Sequence, residues 1–191
     1  MGNLRDSLRL IRNSSRRHWI MATAFAAGGL ALRSKTAWAD DDDHGLSHTA
    51  EAIHQEITFK ERPKRIYEGL TDARQFQKIC QLSEASKHVE VNSKPAQINA
   101  QPGGEFTIFG GYIVGRQIEL VPNQRIVQVW REPTWDPGVY SVVHFELSEQ
   151  GAGTKLVFDH TGFPAGAGDH LAIGWKLNYW EPLEKVFAQK K

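Results

Sequence analysis

The chain has 191 residues, of which 40% are hydrophobic, and this length accommodates one packed domain plus an appendage. Its formal net charge of +1 is unevenly distributed, because residues 1–39 hold seven of the 23 Lys and Arg but only one of the 22 Asp and Glu. The remainder carries 16 basic against 21 acidic groups, a balance of −5 without a cluster of basic and aromatic residues, which argues against a nucleic-acid-binding surface.

The first 39 residues have the three parts of an export signal. The adjacent Arg16 and Arg17 precede an apolar run at residues 20–32, and Ala37-Trp38-Ala39 places small residues before Asp40. The run is shorter and richer in Ala and Gly than a membrane-spanning helix, which needs about 20 apolar residues. The paired arginines beside an aromatic residue resemble the twin-arginine motif of bacterial export.

We therefore expect residues 1–39 to be a twin-arginine (Tat) signal peptide that is recognised by the Tat translocase. Cleavage between Ala39 and Asp40 would release a periplasmic or secreted bacterial protein without a stable membrane anchor, since no cysteine stands at the cut to carry a lipid. The alternative is an uncleaved amphipathic or membrane-anchoring leader.

Residues 40–50 would form the mature N-terminus. They begin with four consecutive aspartates, Asp40 to Asp43, and also contain His44 and His48. Such side chains can bind divalent cations, but an acidic run among small polar residues is more often a solvated tail. We favour a disordered tail and predict no metal site there.

The single cysteine, Cys80, cannot form an internal disulfide bond. It lies among the apolar residues Phe76, Ile79 and Leu82, which favours a buried structural thiol over a nucleophile.

Residues 51–191 are expected to form the folded domain. Rough alternation of apolar and polar residues predicts a first strand at 51–60. Helical spacing of apolar residues then predicts two short helices, at 64–70 after Pro63 and at 73–82. Residues 83–95 have no clear periodicity, although Val89 and Val91 hint at strand pairing, and 96–100 reads as a short strand.

Five further strands follow, at 105–109, 112–121, 125–131, 140–147 and 154–160. Short connectors rich in Gly, Pro and Asn separate them. Because parallel strands need long crossover connections, this spacing favours an antiparallel meander.

The last element is a predicted helix over residues 170–189. A stripe of apolar residues recurs at every fourth position, comprising Leu171, Trp175, Tyr179, Leu183 and Phe187. Pro182 lies within this pattern, so we expect a bend there. The stripe needs a broad apolar partner, which the strands can supply. The fold class is therefore α+β, with a curved antiparallel sheet covered by a long C-terminal helix.

Five ordered motifs resemble those of a known family. They are Pro63 to Asp72, Pro102 to Phe106, Val129 to Arg131, Gly153 to Pro164, and His170 to Tyr179. The chain is similar along 51–190 to the bacterial branch of the proteins named for activating the ATPase of the ninety-kilodalton heat-shock chaperone. That family belongs to the helix-grip (START-like, Bet v 1-like, SRPBCC) superfamily.

The resemblance implies a helix-grip fold with a cavity between the sheet and the C-terminal helix. It implies no shared catalytic residue. Alternation along the predicted strands, with the helical stripe, gives a candidate inward-facing, ligand-binding set: Phe106, Trp130, Phe145, Phe158, His160, Trp175 and Tyr179. Most of these side chains also fit an ordinary core, and His160 fits a hydrogen-bonded structural histidine better than a general base.

Three functions remain open at this point. The first is a module that binds a small apolar or amphipathic molecule, without cofactor or metal. The second is a cavity enzyme, such as a cyclase, isomerase or hydrolase, with His160 and Tyr179 transferring protons. The third is a chaperone-ATPase regulator, which export would disfavour because that chaperone works on ATP in the cytosol.

Overall fold

The structure is a computed structural model that describes residues 51–189. The predicted Arg16-Arg17 motif, the Ala39/Asp40 cleavage site and the acidic tail lie outside the described residues. They remain predictions. None of the helices in the described part of the chain is long and apolar enough to cross a membrane.

A seven-stranded sheet forms the centre of the domain, and every neighbouring pair of strands is antiparallel. Its strands are β1 (Ala52–Phe59), β2 (Gln97–Ile98), β3 (Glu105–Ile108), β4 (Ile113–Val121), β5 (Arg125–Arg131), β6 (Ser141–Gln150) and β7 (Gly153–Thr161). In the sheet they lie in the order β1-β7-β6-β5-β4-β3-β2. β2 to β7 thus follow one another as the meander predicted from the short connectors, and β1 pairs with the last strand.

Two short helices, α1 (Pro63–Thr71) and α2 (Ala73–Leu82), follow β1 as predicted. Pro63 stands in the first turn of α1, where its missing N–H costs no helical hydrogen bond. The carboxylate of Asp72 caps α2 by accepting hydrogen bonds from the backbone N–H groups of Arg74 and Gln75, at 3.0 and 2.9 Å. One aspartate therefore separates the two helices and starts the second.

The C-terminal helix consists of α3 (Gly168–Trp175), a π-helical turn (Lys176–Trp180) and α4 (Glu181–Ala188). The predicted irregularity is present, but it lies one turn before Pro182, which stands in the first turn of α4. Proline has no N–H for the carbonyl four residues earlier, and here Glu181 N–H instead bonds to Lys176 O, five residues back. Tyr179 and Trp180, both within this wider turn, are buried in the core.

The segment 83–95 contains a short 3-10 turn at Glu84–Lys87 and several bends. Val91 is buried and Val89 half-buried, but neither belongs to a strand. The hint of strand pairing at these two valines is therefore wrong. Their burial reflects packing beneath the loop rather than the pleat of a sheet.

The helix covers one face of the sheet, and the predicted inward faces of the strands are confirmed. The buried residues of β5, β6 and β7 are Ile126, Gln128, Trp130, Ser141, Val143, Phe145, Leu147, Gly153, Thr154, Leu156, Phe158 and His160. The residues between them are half-buried or exposed. This alternation confirms the α+β helix-grip architecture, with its core between the sheet and the helices.

Candidate functional site

A cavity of about 400 Å³ lies between the C-terminal helix, the strands β4 and β5, and the 85–89 segment. Most of its wall is apolar and aromatic, with a few polar groups among them. The lining residues are Ala85, His88, Val89, Phe109, Tyr112, Ile113, Trp130, Glu132, His170, Leu171, Gly174, Trp175, Asn178 and Tyr179. This combination of an apolar wall and few polar groups is typical of small-molecule sites.

All seven candidate residues from the sequence are buried on the helix-facing side of the sheet or on the helix itself. Three of them line the cavity: Trp130, Trp175 and Tyr179. The other four lie in the packed core and are not part of the cavity wall: Phe106, Phe145, Phe158 and His160. Burial was therefore predictable from alternation, whereas the position of the empty space was not.

A chain of hydrogen bonds joins the helix to the sheet behind the cavity. Trp175 Nε1–H donates to His160 Nδ1 at 3.0 Å, and His160 Nε2 lies 2.7 Å from Ser141 Oγ. Ser141 Oγ in turn donates to the backbone carbonyl of Trp130 at 3.0 Å. Because Nδ1 must accept from the indole, the proton of the imidazole belongs on Nε2, where it is donated to Ser141.

His160 is a neutral, structural residue in this chain of hydrogen bonds. Burial lowers the pKa of its imidazole from 6.5 to about 3. Both ring nitrogens already have partners, and its side chain is fully buried. No ring nitrogen is left to accept a proton from a molecule in the cavity.

Tyr179 contributes a ring and a hydroxyl to the cavity wall. Its ring packs edge-on against Phe76 and Phe109 at centroid distances of 5.6 and 5.3 Å. The hydroxyl lies 3.5 Å from Trp130 Nε1, which makes a weak hydrogen bond at best. Burial raises the pKa of the phenol, so the side chain stays protonated and can act as a hydrogen-bond donor.

Glu132 is the acidic group in the cavity wall, and only 8% of the residue is exposed. Its Oε2 accepts hydrogen bonds from the hydroxyls of Tyr112 and Thr134, at 3.4 and 3.3 Å. Burial and the neighbouring Glu132 carboxylate together raise the pKa of Tyr112. The cavity therefore has an acidic group in a wall that is otherwise mostly apolar.

Side chains of β1 fasten the C-terminal helix in place. The carboxylate of Glu51, just before β1, accepts hydrogen bonds from the backbone N–H groups of Gly166 and Gly168, at 2.7 and 2.9 Å. Gln55 donates to the carbonyl of Ala172 and accepts from Trp180 Nε1, at 3.1 and 2.6 Å. These bonds hold α3 and the π turn over the sheet.

Asn178 connects the helix to the loop that closes the cavity. Its Oδ1 accepts a hydrogen bond from Ala85 N–H at 2.8 Å. The same loop contributes Val89 and the exposed His88 to the cavity wall. Residues 85–89 have no apolar periodicity, so their sequence does not predict that they form a wall.

Two of the other lining residues that the sequence did not predict lie at element ends. Tyr112 precedes β4 and Glu132 follows β5, where alternation no longer predicts a direction. Leu171 was on the predicted helical stripe, whereas Gly174 carries no side chain that could signal a wall.

The thiol of Cys80 and the side chain of His144, outside the cavity, also have structural roles. Cys80 is fully buried, and burial raises the pKa of its thiol to about 12, which opposes thiolate formation at neutral pH. His144 Nε2 lies 3.1 Å from Glu146, which also pairs with Arg125. Within residues 51–189, no three His, Cys, Asp or Glu side chains come together as a metal site would require.

Comparisons with known proteins agree with this architecture. The sequence model of the family described as "Activator of Hsp90 ATPase homolog 1-like protein" matches residues 60–188. The human protein named Activator of 90 kDa heat shock protein ATPase homolog 1 is 27% identical over 131 residues, which cover 69% of this chain and 35% of the human protein. The chain thus spans about a third of that relative.

Solved structures share the fold at low sequence identity. A crystal structure of an HSP90 activator from Plasmodium falciparum matches with a TM-score of 0.61 and 24% identity, over 73% of this chain and 96% of that one. CalU16 from Micromonospora echinospora matches with a TM-score of 0.58 and 18% identity, over 73% of this chain and 78% of that one.

Proposed function

The chain belongs to the Activator of Hsp90 ATPase homolog 1-like family, and from that premise we propose that it binds a small, largely apolar molecule in the cavity under its C-terminal helix. The observation that carries the proposal is the cavity itself. Its aromatic and aliphatic wall surrounds about 400 Å³, which is within the usual range for small-molecule sites. A pre-formed space of this kind lets a ligand bury its surface without paying to open the protein.

The cavity also remains open for a structural reason. Glu51, Gln55 and Asn178 hold the helix and the 85–89 loop at fixed positions through hydrogen bonds. Collapse of the wall onto the cavity would break these bonds. A space that is held open in this way is better suited to binding than a packing defect.

Gly174 allows the proposal to be tested with one substitution. It lies in α3 and lines the cavity, and a Cβ added there would meet only Asn178 Nδ2, at 3.9 Å. Gly174→Phe should therefore place a ring in the open space without backbone strain. It should weaken the binding of the neutral fluorescent probe N-phenyl-1-naphthylamine at least about tenfold, or 1.4 kcal/mol.

Gly174→Ala is the matched control. Alanine removes the glycine but leaves most of the cavity, so it should bind the probe like the parent protein. Both variants should melt at or above the parent temperature, because glycine disfavours a helix by about 1 kcal/mol. If Gly174→Phe binds the probe as well as Gly174→Ala, the cavity is not the binding site. Native mass spectrometry of protein from its own host would then identify any co-purified molecule.

The geometry of His160 does not support a cavity enzyme that uses this residue as a general base. Its low pKa means that the imidazole has little tendency to accept a second proton at neutral pH. Its two hydrogen bonds also occupy both ring nitrogens. Tyr179 and Glu132 remain as polar groups, and we assign them to orienting a ligand rather than to reacting with it.

Regulation of a chaperone ATPase is the second candidate function. It is favoured by the kinship with the human activator, and it is weakened because the chain spans about a third of that protein. Full activity of such a relative need not reside in the shared third. The candidate also requires the protein to share a compartment with the chaperone, so its localisation distinguishes the two functions.

We further propose that the protein is exported through the twin-arginine pathway. The motif Arg16-Arg17 and the small residues before Asp40 support this proposal. Arg16→Lys combined with Arg17→Lys should retain the protein in the cytosol, and the exported parent should begin at Asp40. Cell fractionation and intact-mass measurement check both points. Full-length parent protein in the cytosol would contradict export and restore the chaperone function.

A further inference from the structure

The cavity wall contains an unusual charged group that the apolar ligand proposed above does not explain. Glu132 is more than nine-tenths buried, and its carboxylate has only two hydroxyl partners, both at distances above 3.2 Å. In the part of the chain that the structure describes, no Lys or Arg nitrogen lies within 4.0 Å of it. The Lys and Arg ion pairs elsewhere in the domain are partly or largely exposed at the surface.

A buried carboxylate without a cation is costly. Transfer of an ionised carboxylate from water into an apolar environment is unfavourable unless a positive charge and hydrogen-bond donors compensate. Weak hydrogen bonds from Tyr112 and Thr134 provide only part of that compensation. The cavity side of Glu132 is the place from which a further partner could come.

The rest of the cavity wall is compatible with a positive charge and opposes a negative one. No Lys or Arg lines it, and the two histidines, His88 and His170, are exposed at its rim. Aromatic rings of Trp130 and Tyr112 share the wall with Glu132, and the faces of such rings attract cations. A carboxylate ligand would instead meet Glu132 with like charge in a site of low dielectric constant.

We propose that the ligand is an amphipathic amine, with an apolar body against Trp175 and Tyr179 and a protonated nitrogen that donates to Glu132. This inference rests on the proposed function and adds the chemical class of the ligand. Glu132 is then a specificity-determining residue: it distinguishes cationic from neutral and anionic molecules of the same size. A volume of about 400 Å³ suits a molecule with one small head group and an extended or ring-shaped apolar body.

The test compares three probes that differ only in their head groups: decylammonium, 1-decanol and decanoate. Each is titrated against the purified protein loaded with N-phenyl-1-naphthylamine, and displacement of the fluorescent probe reports binding. Decylammonium should bind at least about tenfold more tightly than 1-decanol, because a hydrogen bond to a charged group is stronger than a neutral one. Decanoate should be the weakest of the three.

Glu132→Gln keeps the size of the side chain and its ability to accept from Tyr112 and Thr134, but removes the charge. This variant should lose the preference for decylammonium over 1-decanol, and its circular dichroism spectrum shows that it is folded. Glu149→Gln is the matched control, because Glu149 is a largely exposed carboxylate that does not line the cavity. It should preserve the preference and thereby exclude general attraction of cations to an acidic protein.

The outcomes separate the two proposals. If N-phenyl-1-naphthylamine and all three decyl probes fail to bind the parent protein, the binding function itself is wrong and this inference falls with it. If the probes bind, but decylammonium and 1-decanol have equal affinity or Glu132→Gln leaves the ratio unchanged, only the assignment of an amine ligand is overturned.

Discussion

Replacing Trp175 by alanine should lower the free energy of unfolding by about 3–5 kcal/mol, the range for truncation of a large aromatic residue in a core. Trp175 is 2% exposed, and its ring packs against Tyr179 and Phe158 at centroid distances of 4.1 and 4.4 Å. Its indole N–H also donates to His160. Alanine would remove both the packing and the hydrogen bond, and it would enlarge the existing cavity. Urea denaturation monitored by circular dichroism measures the change.

One variant separates the packing of Trp175 from its hydrogen bond, and a second variant is the control. Trp175→Phe keeps most of the ring packing but leaves His160 Nδ1 without a donor, so it should cost about 1–3 kcal/mol. Ile173→Ala is the control on the same helix, since Ile173 is 59% exposed, and it should change stability by no more than about 0.5 kcal/mol. A loss below about 1 kcal/mol for Trp175→Ala would show that the side chain lines an open space without supporting the fold.

The success of sequence reasoning on the strands has a simple physical origin. Side chains alternate between the two faces of a strand, so a buried face marks every second residue with an apolar side chain. Alternation therefore places Phe158 and His160 on the inward face of β7 together, although His160 is polar, and both are fully buried. The hydrogen bonds from Trp175 and to Ser141 explain how the histidine is accommodated there.

The cavity was predicted only in general terms because its walls depend on features without a period. The 85–89 loop forms one wall, and a hydrogen bond between Ala85 and Asn178 ties it to the C-terminal helix. Trp180 is buried in addition to the predicted stripe, and it lies in a π turn at Lys176–Trp180 that the missing N–H of Pro182 favours. Such effects depend on one residue or one contact, and no spacing rule detects them.

Glu132 illustrates the same limit at the level of chemistry. In the sequence it is one of 22 acidic residues and stands beside Pro133 at the end of a predicted strand. Its importance comes from burial, from its two hydroxyl partners and from its place in the cavity wall. A sequence motif consists of residues at a fixed spacing along the chain. This site instead combines single residues from β4, β5 and the C-terminal helix, which are far apart in the sequence.

The protein should also lose stability in acid through His160. The imidazole has a pKa of about 3 in the folded protein, against 6.5 when it is free of the fold. Below pH 6.5 the unfolded chain therefore binds a proton at this position that the folded protein excludes. The contribution of the neutral imidazole to the free energy of unfolding is complete above pH 6.5. It declines as the pH falls towards 3, with a slope of about 1.4 kcal/mol per pH unit.

The comparison of wild type with His160→Gln isolates this contribution. Glutamine can accept and donate hydrogen bonds but does not titrate. Between about pH 6 and about pH 5, wild type should lose about 1 kcal/mol more stability than the variant in urea denaturation. His88→Gln removes an exposed histidine and gives the baseline, with a profile parallel to that of wild type.

Ser141→Ala distinguishes titration from the loss of a hydrogen bond. It removes the partner of His160 Nε2 but leaves the imidazole buried, so stability should fall by about 1–3 kcal/mol at neutral pH while the extra loss in acid persists. The cause of the low pKa is burial, and the hydroxyl is not needed for it. If His160→Gln loses stability in acid as steeply as wild type does, burial does not lower the pKa of the imidazole, and His160 takes up its proton in the folded protein as it does in the unfolded chain. His160 would then be accessible to protons, and its role as a general base in the cavity would have to be reconsidered.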